Sequence, residues 1–551
     1  MKNKNSASLF QFAFTAKFRK YTLAVIIAEA VAVMLSAASP LVQKFMIDGA
    51  SNALGRKVFY AAALLAVLLA GQFALRSLGR FIRGLLGVAI RKDLKSTIFR
   101  HLLALPEDFL RSRGAGYFFN RIQHDIGEIC TFISGNALLF AAEAVRLTAA
   151  LTITAFLSWR CMLLLLPFLL LQIILCYFFR QRQYRLSHKL QECVAIERHL
   201  MQEYINSHRT LKSHAAEQSA GERIDSGLSR WGDLMHSRLT HENIFLACLQ
   251  IPVWICGGII LCCGLYLVMQ KESTLGEVWA LLMLMNMVFA PSRTLGTIFV
   301  QQQSALAAWT RLQEVWQLEK ENAGQSAEKV DLRGEVVFQD VEFAYNENRM
   351  ILNKLQMRIP WNCGVFLCGA NGSGKSTLFA LLLRLYKVQK GVISINGKNI
   401  DSYPLNSYRE RIGYIGQNPE FVRGTVRDNL LLGRNDVSDE KIMELFRQLD
   451  CAELIERQKE RLDYIVAERG ENFSGGERLR LALVRELLRD TDWILFDEAA
   501  ANLDTAGRQK FYALLQNLPG NKGVIAIVHD LPENSAWPIL RLEDLQNNAA
   551  N

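Results

Sequence analysis

"GVFLCGANGSGKSTLFALLLRLY", residues 364–386, joins three local signals. Gly364–Cys368 is a short apolar run with the length of a buried strand. Gly369, Ala370, Asn371, Gly372, Ser373, Gly374, Lys375, Ser376 and Thr377 follow as a glycine-rich turn, and "TLFALLLRLY" then reads as a helix. Strand, glycine-rich turn and helix in this order are the setting of a phosphate-binding loop. Glycines let the backbone wrap phosphates, Lys375 reaches the β- and γ-phosphates, and the Ser376 hydroxyl suits Mg²⁺. A chance glycine-rich turn would lack these flanks.

Outward from this point, short β-rich runs alternate with helices from Gly334 onward: "EVVFQDVEFAY", "GVISING", "IGYIGQ", "WILFDE" and "GVIAIVH". This pattern predicts an α/β domain on a mainly parallel sheet. "WILFDEAAANLD" ends an apolar strand in Asp497-Glu498, about 120 residues after the loop. Asp497 suits the metal shell, and Glu498 suits a base that orients and deprotonates water. "NFSGGERLR", 472–480, is a second anion-binding turn, with Ser474, Gly475 and Gly476 feeding a helix N-terminus. Two phosphate sites in one small domain need explaining.

The first half is different. Half of the 551 residues are hydrophobic, which fits a membrane part joined to a soluble part. Six apolar stretches are long enough to span a bilayer: Tyr21–Val42, Val58–Leu78, Ala137–Trp159, Met162–Phe179, Ile244–Met269 and Leu275–Val300. Five spans after the first argue against reading it as a cleaved leader. Arginines and lysines crowd the segments after the second and fourth spans, from Arg80 to Arg121 and from Arg180 to Arg238. The positive-inside bias puts both segments and both termini in the cytoplasm. Much of the formal charge of +10 is therefore topological, and a nucleic-acid partner is not needed. The two basic segments have few helix breakers and read as helices continuing from the spans. "SLFQFAFTAKFRKY" places Phe10, Phe14 and Phe18 among basic residues, as in a short interfacial helix. The eleven cysteines show no CxxC, and Cys248, Cys256, Cys262 and Cys263 read as small core or lipid-facing residues.

Motif by motif, residues 334–530 resemble the nucleotide-binding domain of ABC transporters, and 1–320 resemble the membrane domain of the exporter type. The expected architecture is an all-α six-helix transmembrane domain over 1–315, a linker over 316–333 and an α/β P-loop ATPase domain over 334–551. In that family two ATPase domains pack head to tail, and each Ser-Gly-Gly turn caps the γ-phosphate of the partner's ATP. The second anion site then belongs to a second nucleotide. The resemblance further implies that Tyr345 stacks on adenine, that Gln417 senses Mg²⁺ and the attacking water, and that Asp504 joins the two sites. It implies that Glu468 lies in a segment contacting the membrane domain and that His529, 31 residues beyond Glu498, contacts the γ-phosphate. Residues 105–126 resemble the first intracellular loop, with its short helix expected near "DIGEICTF", and 205–218 resemble the second coupling-helix region.

The chain departs from the family pattern in places. The signature has Phe473 and Glu477 where Leu and Gln are usual, Ala467 stands where glycine is common, and Asp530 follows the histidine in place of Arg. The end, "WPILRLEDLQNNAAN" from Trp537, reads as a shorter tail than the family's, and coupled leader cleavage by a peptidase domain ahead of the first span is not expected. The expectation is an ATP- and Mg²⁺-dependent exporter or flippase half-transporter in the inner or plasma membrane, with the ATPase domain cytoplasmic and an unidentified cargo. A homodimer with two working sites is the simplest assembly, and a heterodimer is the alternative. An ATP-gated channel or regulatory subunit is the rival class. Glu29, Glu143 and Arg146 lie within spans, which predicts a cavity lined by them, with a Glu29–Arg146 ion pair or polar contacts from each to cargo; the plainer alternative is a Glu143–Arg146 pair on one helix face.

Overall fold

The computed structural model describes residues 15, 17–51, 55–321, 330–345, 349–361, 363–434, 436–501, 503–518, 522–528 and 537–547. The chain divides into two units: Met1–Leu103 with Arg113–Leu318, and Ala104–Ser112 with Glu319–Asn551.

The first unit is helical. Helices Arg19–Ser51, Gly55–Leu103, Trp159–Asn206, Glu217–Met269 and Leu275–Trp316 each contain one expected span. The third expected span lies in a helical column that passes through π-turns at Arg121–Asp125 and Phe132–Asn136 and ends at Leu157. It stops there because the Ser158 hydroxyl caps the next helix by accepting from the Cys161 N–H, so Trp159 belongs to the fourth span and not the third. Among the described residues, five helices are by length and composition apolar enough to cross a membrane, and Leu275–Pro291 is a shorter apolar stretch of the sixth. At 1.5 Å per residue, a helix of 49 residues is about 74 Å long against a bilayer core of about 30 Å. The basic segments are thus continuations of the spans.

Two expectations change here. The segment near "DIGEICTF" is part of the continuous column, and the separate short helix of this loop is Glu107–Arg113, upstream of it. Its segment Ala104–Ser112 belongs with the second unit and not with the expected domain 1–315. The Glu321 N–H donates to the Ala104 carbonyl at 2.8 Å, and Arg111 bonds the Tyr386 phenol. Between the fourth and fifth long helices, His208–Ser213 forms the short helix of the second coupling-helix region. Phe10 and Phe14 of the expected interfacial helix lie outside the described residues, and Phe18 is buried.

Polar groups in this unit are paired where they are buried. Glu29 pairs with Arg83 at 2.7 Å, not with Arg146. Gly79 makes room for the carboxylate, since a Cβ there would lie 3.1 Å from Glu29 Oε1, and Arg83 sits one turn further along the same helix. Arg146 pairs with Glu143 at 2.8 Å, the same-helix alternative. At the other end of the first helix, the Asp48 carboxylate accepts from the Gly276 N–H and the Thr274 hydroxyl, both at 3.0 Å, and Lys44 pairs with Glu277 at 2.7 Å. Cys256 is buried among Val253, Leu281 and Phe289, while Cys262 and Cys263 are exposed.

The second unit has two main sheets. Strands β1 (Val336–Ala344), β2 (Met350–Ile359), β4 (Lys390–Ile395) and β5 (Lys398–Asn399) form an antiparallel sheet in the order β2-β1-β4-β5. Strands β3 (Gly364–Cys368), β6 (Ile412–Ile415), β9 (Trp493–Asp497), β10 (Gly523–Ile527) and β11 (Ile539–Arg541) form a parallel sheet in the order β11-β3-β10-β9-β6. β7 (Gly424–Thr425) and β8 (Ile465–Val466) pair separately. "EVVFQDVEFAY" and "GVISING" therefore belong to an antiparallel layer and not to the parallel sheet. Each has an exposed position in its alternation, whereas β3, β9 and β10 are buried almost throughout, as parallel strands covered on both faces are. Val330 and Leu332, inside the expected linker, are buried in this unit's core, and Asp492 accepts the Leu332 N–H at 3.0 Å.

One buried charge ties the third span's column to the last long helix. Asp125, 1 % exposed, accepts from Arg121 at 2.9 Å and from Arg311 at 2.6 Å. Removing one partner of a buried ion pair costs about 3–5 kcal/mol, because the other is left uncompensated. Asp125→Ala is expected to lower the unfolding temperature of the detergent-solubilised protein, and Asp125→Asn, which keeps an acceptor, to lower it less. Equal melting of Asp125→Ala and wild type would refute this.

Candidate functional site

The parallel sheet brings the sequence-predicted residues to one edge. Its register pairs Ile527 with both Asp497 and Leu367, and Ile415 with Phe496. The carboxyl ends of β3, β10, β9 and β6 therefore lie side by side, where open α/β sheets bind their ligands. The phosphate loop follows β3, Asp497 and Glu498 end β9, and Gln417 lies two residues beyond β6. β10 ends at Ile527, and His529 lies outside the described residues.

The loop Gly369–Gly374 leads into helix Lys375–Leu382. Gly374 caps it at φ 100°, and a Cβ there would lie 2.9 Å from Leu352 Cδ2, so both conformation and space demand glycine. Lys375 is buried and its ammonium donates to the Gly369 and Ala370 carbonyls at 2.8 and 3.0 Å. Asn371, Gly372 and Ser373 form the turn between them, with the Ser373 N–H donating to Ala370.

The Ser376 hydroxyl donates to Asp497 Oδ1 at 3.0 Å, and the Tyr414 hydroxyl donates to Oδ2 at 3.3 Å. Burial pushes the Asp497 carboxyl above its usual range, opposed by these two hydrogen bonds and by Lys375, and the neighbouring Glu498 charge adds to the rise. A hydroxyl and a carboxylate this close are hard oxygen donors of the kind Mg²⁺ takes, and a cation between them would reverse the cost of burying Asp497. Next along the chain, Glu498 has φ 49°, a left-handed conformation uncommon for a residue with a side chain. Such strain clusters at functional positions. Gln417 Nε2 lies 3.5 Å from Glu498 Oε2. The carboxamide and the carboxylate thus sit side by side, one offering a donor and the other an acceptor.

Tyr345 follows β1, and its hydroxyl donates to Thr377 Oγ1 at 3.2 Å. Its ring packs edge-on against Phe343 and Tyr386, leaving 41 % of the residue exposed for a flat partner.

Ser474 caps helix Gly475–Leu487 in a reciprocal box, with Ser474 N–H to Glu477 Oε2 at 2.8 Å and Glu477 N–H to Ser474 Oγ at 3.3 Å. Glu477, the departure from Gln, also pairs with Arg457 at 2.5 Å. Burial favours its neutral form, but the Ser474 bonds and Arg457 together hold it below the usual carboxylate range. Phe473, the other departure, is buried in the core edge-on to Tyr464. Both variants are thus absorbed locally. Asp504 caps helix Thr505–Gln516 by accepting the Gly507 N–H at 2.9 Å. Glu468 lies in a short 3₁₀ turn before the signature.

Sequence reasoning missed Tyr414, Tyr386, Arg457 and Glu543. Tyr414 was visible in "IGYIGQ", but a strand tyrosine carries no signal of its partner. Glu543 accepts the Ala370 N–H at 2.7 Å from 173 residues away, which no local pattern announces.

The chain matches the family model of the ABC transporter transmembrane region over residues 22–292 and that of the ABC transporter over 352–501. A Lactococcus lactis subsp. lactis (strain IL1403) protein named multidrug resistance ABC transporter ATP-binding and permease protein is 26% identical over 475 residues, 85% of this chain and 80% of that protein. A Legionella pneumophila (strain Paris) ATP-dependent lipid A-core flippase is 26% identical over 458 residues, 83% of this chain and 77% of that one. The solved structure of a bacterial Atm1-family ABC exporter with ATP bound shares the fold, with TM-score 0.81, 22% identity and coverage of 93% of this chain and 92% of that chain. A helical membrane unit followed by a P-loop ATPase unit, matched by both family models in that order, makes this chain a member of the ABC transporter family, an exporter-type half-transporter that binds ATP.

Proposed function

We propose that the chain is one half of a dimeric ATP-driven exporter or flippase of the cell membrane, with its ATPase unit in the cytoplasm. The observation that carries the reading is the convergence of Lys375, Ser376, Asp497, Glu498 and Gln417 on one sheet edge, while the Ser474 turn spends its side-chain bonds on its own helix. That leaves the N-terminus of a 13-residue helix as an anion site for a nucleotide held by another subunit.

Lys375 reaches the β- and γ-phosphates with its ammonium. Ser376 and Asp497, with Gln417, would hold Mg²⁺, which would neutralise phosphate charge when bound. Tyr345 takes the adenine. Glu498 accepts a proton from the attacking water, which Gln417 orients and His529 helps to align on the γ-phosphate. Gly475 and Gly476 give Ser474's turn its close approach to the partner's ATP, and Asp504 couples the two composite sites. Two ATPs close the dimer, closure turns the membrane cavity outward, and hydrolysis resets it. A homodimer needs no further component. A complete set of hydrolytic groups favours turnover over a gated channel, and cargo-stimulated ATPase activity in vesicles separates the two.

Glu498→Gln is expected to bind ATP, lose about 10²–10⁴ of the hydrolysis rate and accumulate as a closed dimer. Hydrolysis at the wild-type rate would remove Glu498 from the mechanism.

Sharing of sites is tested with mixed dimers. A Ser474→Arg chain paired with a Lys375→Ala chain keeps one composite site intact and should retain partial activity. Both substitutions in one chain, paired with wild type, damage both sites. Equal residual activity in the two arrangements would argue against sharing.

Charged groups inside a span usually face a cavity or a partner, which favours a cargo with polar as well as apolar surface, while the Glu143–Arg146 pair is the plainer alternative that cysteine labelling tests. In a chain cleared of its native cysteines, cysteines at 143 and 146 should react with a membrane-impermeant thiol reagent, and one at 29, beneath Arg83 and against Gly79, should react slowly. Resistance of 143 and 146 to that reagent, together with labelling by a lipid-phase one, would end the cavity reading.

A further inference from the structure

We propose that Glu543, on the short helix Leu542–Asn547, is a positioning residue for the phosphate loop, a reading that rests on Gly369–Thr377 holding the nucleotide. The segment carrying it is built into the sheet beside the loop's own strand. β11 pairs in parallel with β3, matching Ile539 to Phe366, Leu540 to Leu367 and Arg541 to Cys368, and the Phe366 N–H donates to the Pro538 carbonyl at 3.0 Å. Leu542 is fully buried, with its Cβ 3.7 Å from where a Cβ on Gly369 would stand. The next residue, Glu543, takes the Ala370 N–H on Oε1 at 2.7 Å.

The peptide unit joining Gly369 to Ala370 is therefore held at both ends. Its N–H goes to the Glu543 carboxylate, and its carbonyl accepts from the Lys375 ammonium at 2.8 Å. The ammonium has three N–H donors and places two on the Gly369 and Ala370 carbonyls, so turning toward phosphates loosens this hold. Glu543 then keeps this peptide in place, at the point where the strand turns into the loop. A charge-assisted bond of this kind restrains the empty loop, so the cost of ordering it is met before nucleotide arrives. The carboxylate itself faces the start of the loop, and what it supplies is an acceptor. A carboxamide oxygen would do the same.

The test compares wild type, Glu543→Gln and Glu543→Ala in the full-length protein in detergent. Glu543→Ala is expected to raise the KM for ATP about 3- to 10-fold, the order of one such hydrogen bond, with kcat within about twofold. Glu543→Gln should keep the wild-type KM. Hydrogen exchange on the nucleotide-free protein should show the peptide containing Ala370 protected in wild type and Glu543→Gln and faster in Glu543→Ala. An unchanged KM in Glu543→Ala, a Gln variant no better than Ala, or kcat and melting temperature falling together without a KM change would overturn the proposal. So would equal exchange in the three proteins. Absence of ATP binding in all three would instead fail the nucleotide reading, and the exchange comparison would still decide the clamp.

Discussion

The 3.0 Å hydrogen bond from Ser376 to Asp497 joins residues 121 apart in sequence, and much of the second unit can be read as what makes it possible. One end hangs from β3 through a loop that only glycine can turn, the other from the tip of β9. β10 lies between those strands and sets their relative register through Ile527. The buried ring of Trp493 fixes the start of β9 from below, its indole N–H donating to the Leu332 carbonyl at 2.9 Å and its face pressed on Gly523. A slip of one residue in any of these pairings would send Asp497 to the opposite face of the sheet. Precision at the loop is therefore bought by apolar packing in strands that never touch a ligand.

The membrane unit follows the opposite rule. There the apolar surface is outward, and the rare charged groups decide which faces meet. Glu29 can be accommodated because Gly79 opens a space and Arg83 is within reach, and Asp125 because two guanidiniums from different helices close on it. Each pair costs desolvation, so it adds register more than stability. At the far end of the first helix, Gly276 lets the Lys44 carbonyl and the Asp48 carboxylate approach so closely that any Cβ would stand 2.4 Å from the former. Exposed apolar side chains such as Phe59, Phe73 and Trp254 are left for lipid or a second protomer to cover.

The sequence made some of this legible and hid the rest for physical reasons. Span positions and the continuation of helices past the bilayer could be read from apolar length and missing helix breakers, because both are properties of contiguous residues. The phosphate loop, the Asp497–Glu498 pair and the Ser474 turn could be read because strand–turn–helix order is local. What could not be read were choices among distant partners. Glu29 pairs with Arg83, which the sequence put in the basic segment beyond the second span, and the gap at Gly79 is what lets the two meet. The short helix of the first intracellular loop lies about twenty residues before the expected place: Pro106 and the acidic Glu107 and Asp108 mark a helix start, but not that this segment docks through bonds to residues beyond 318. Likewise, β1 and β4 read as strands but not as a separate antiparallel layer, because alternation says that one face is exposed and not which neighbour runs beside it.

The signature variants show how this division of labour permits change. Phe473 faces the core, where an aromatic ring against Tyr464 fills the space of a leucine, so its effect ends in packing. Glu477 sits at the third position of a helix whose cap is Ser474. A carboxylate there serves the capping box as well as a carboxamide does and also favours the positive end of the helix dipole. Near an incoming phosphate, however, that same charge would repel. Arg457 removes much of the conflict by pairing with Glu477 at 2.5 Å, so the turn can keep its cap and still present a positive N-terminus to an anion. Arg457 and Glu477 thus form one unit with the turn, and a substitution at either has to be read through the other.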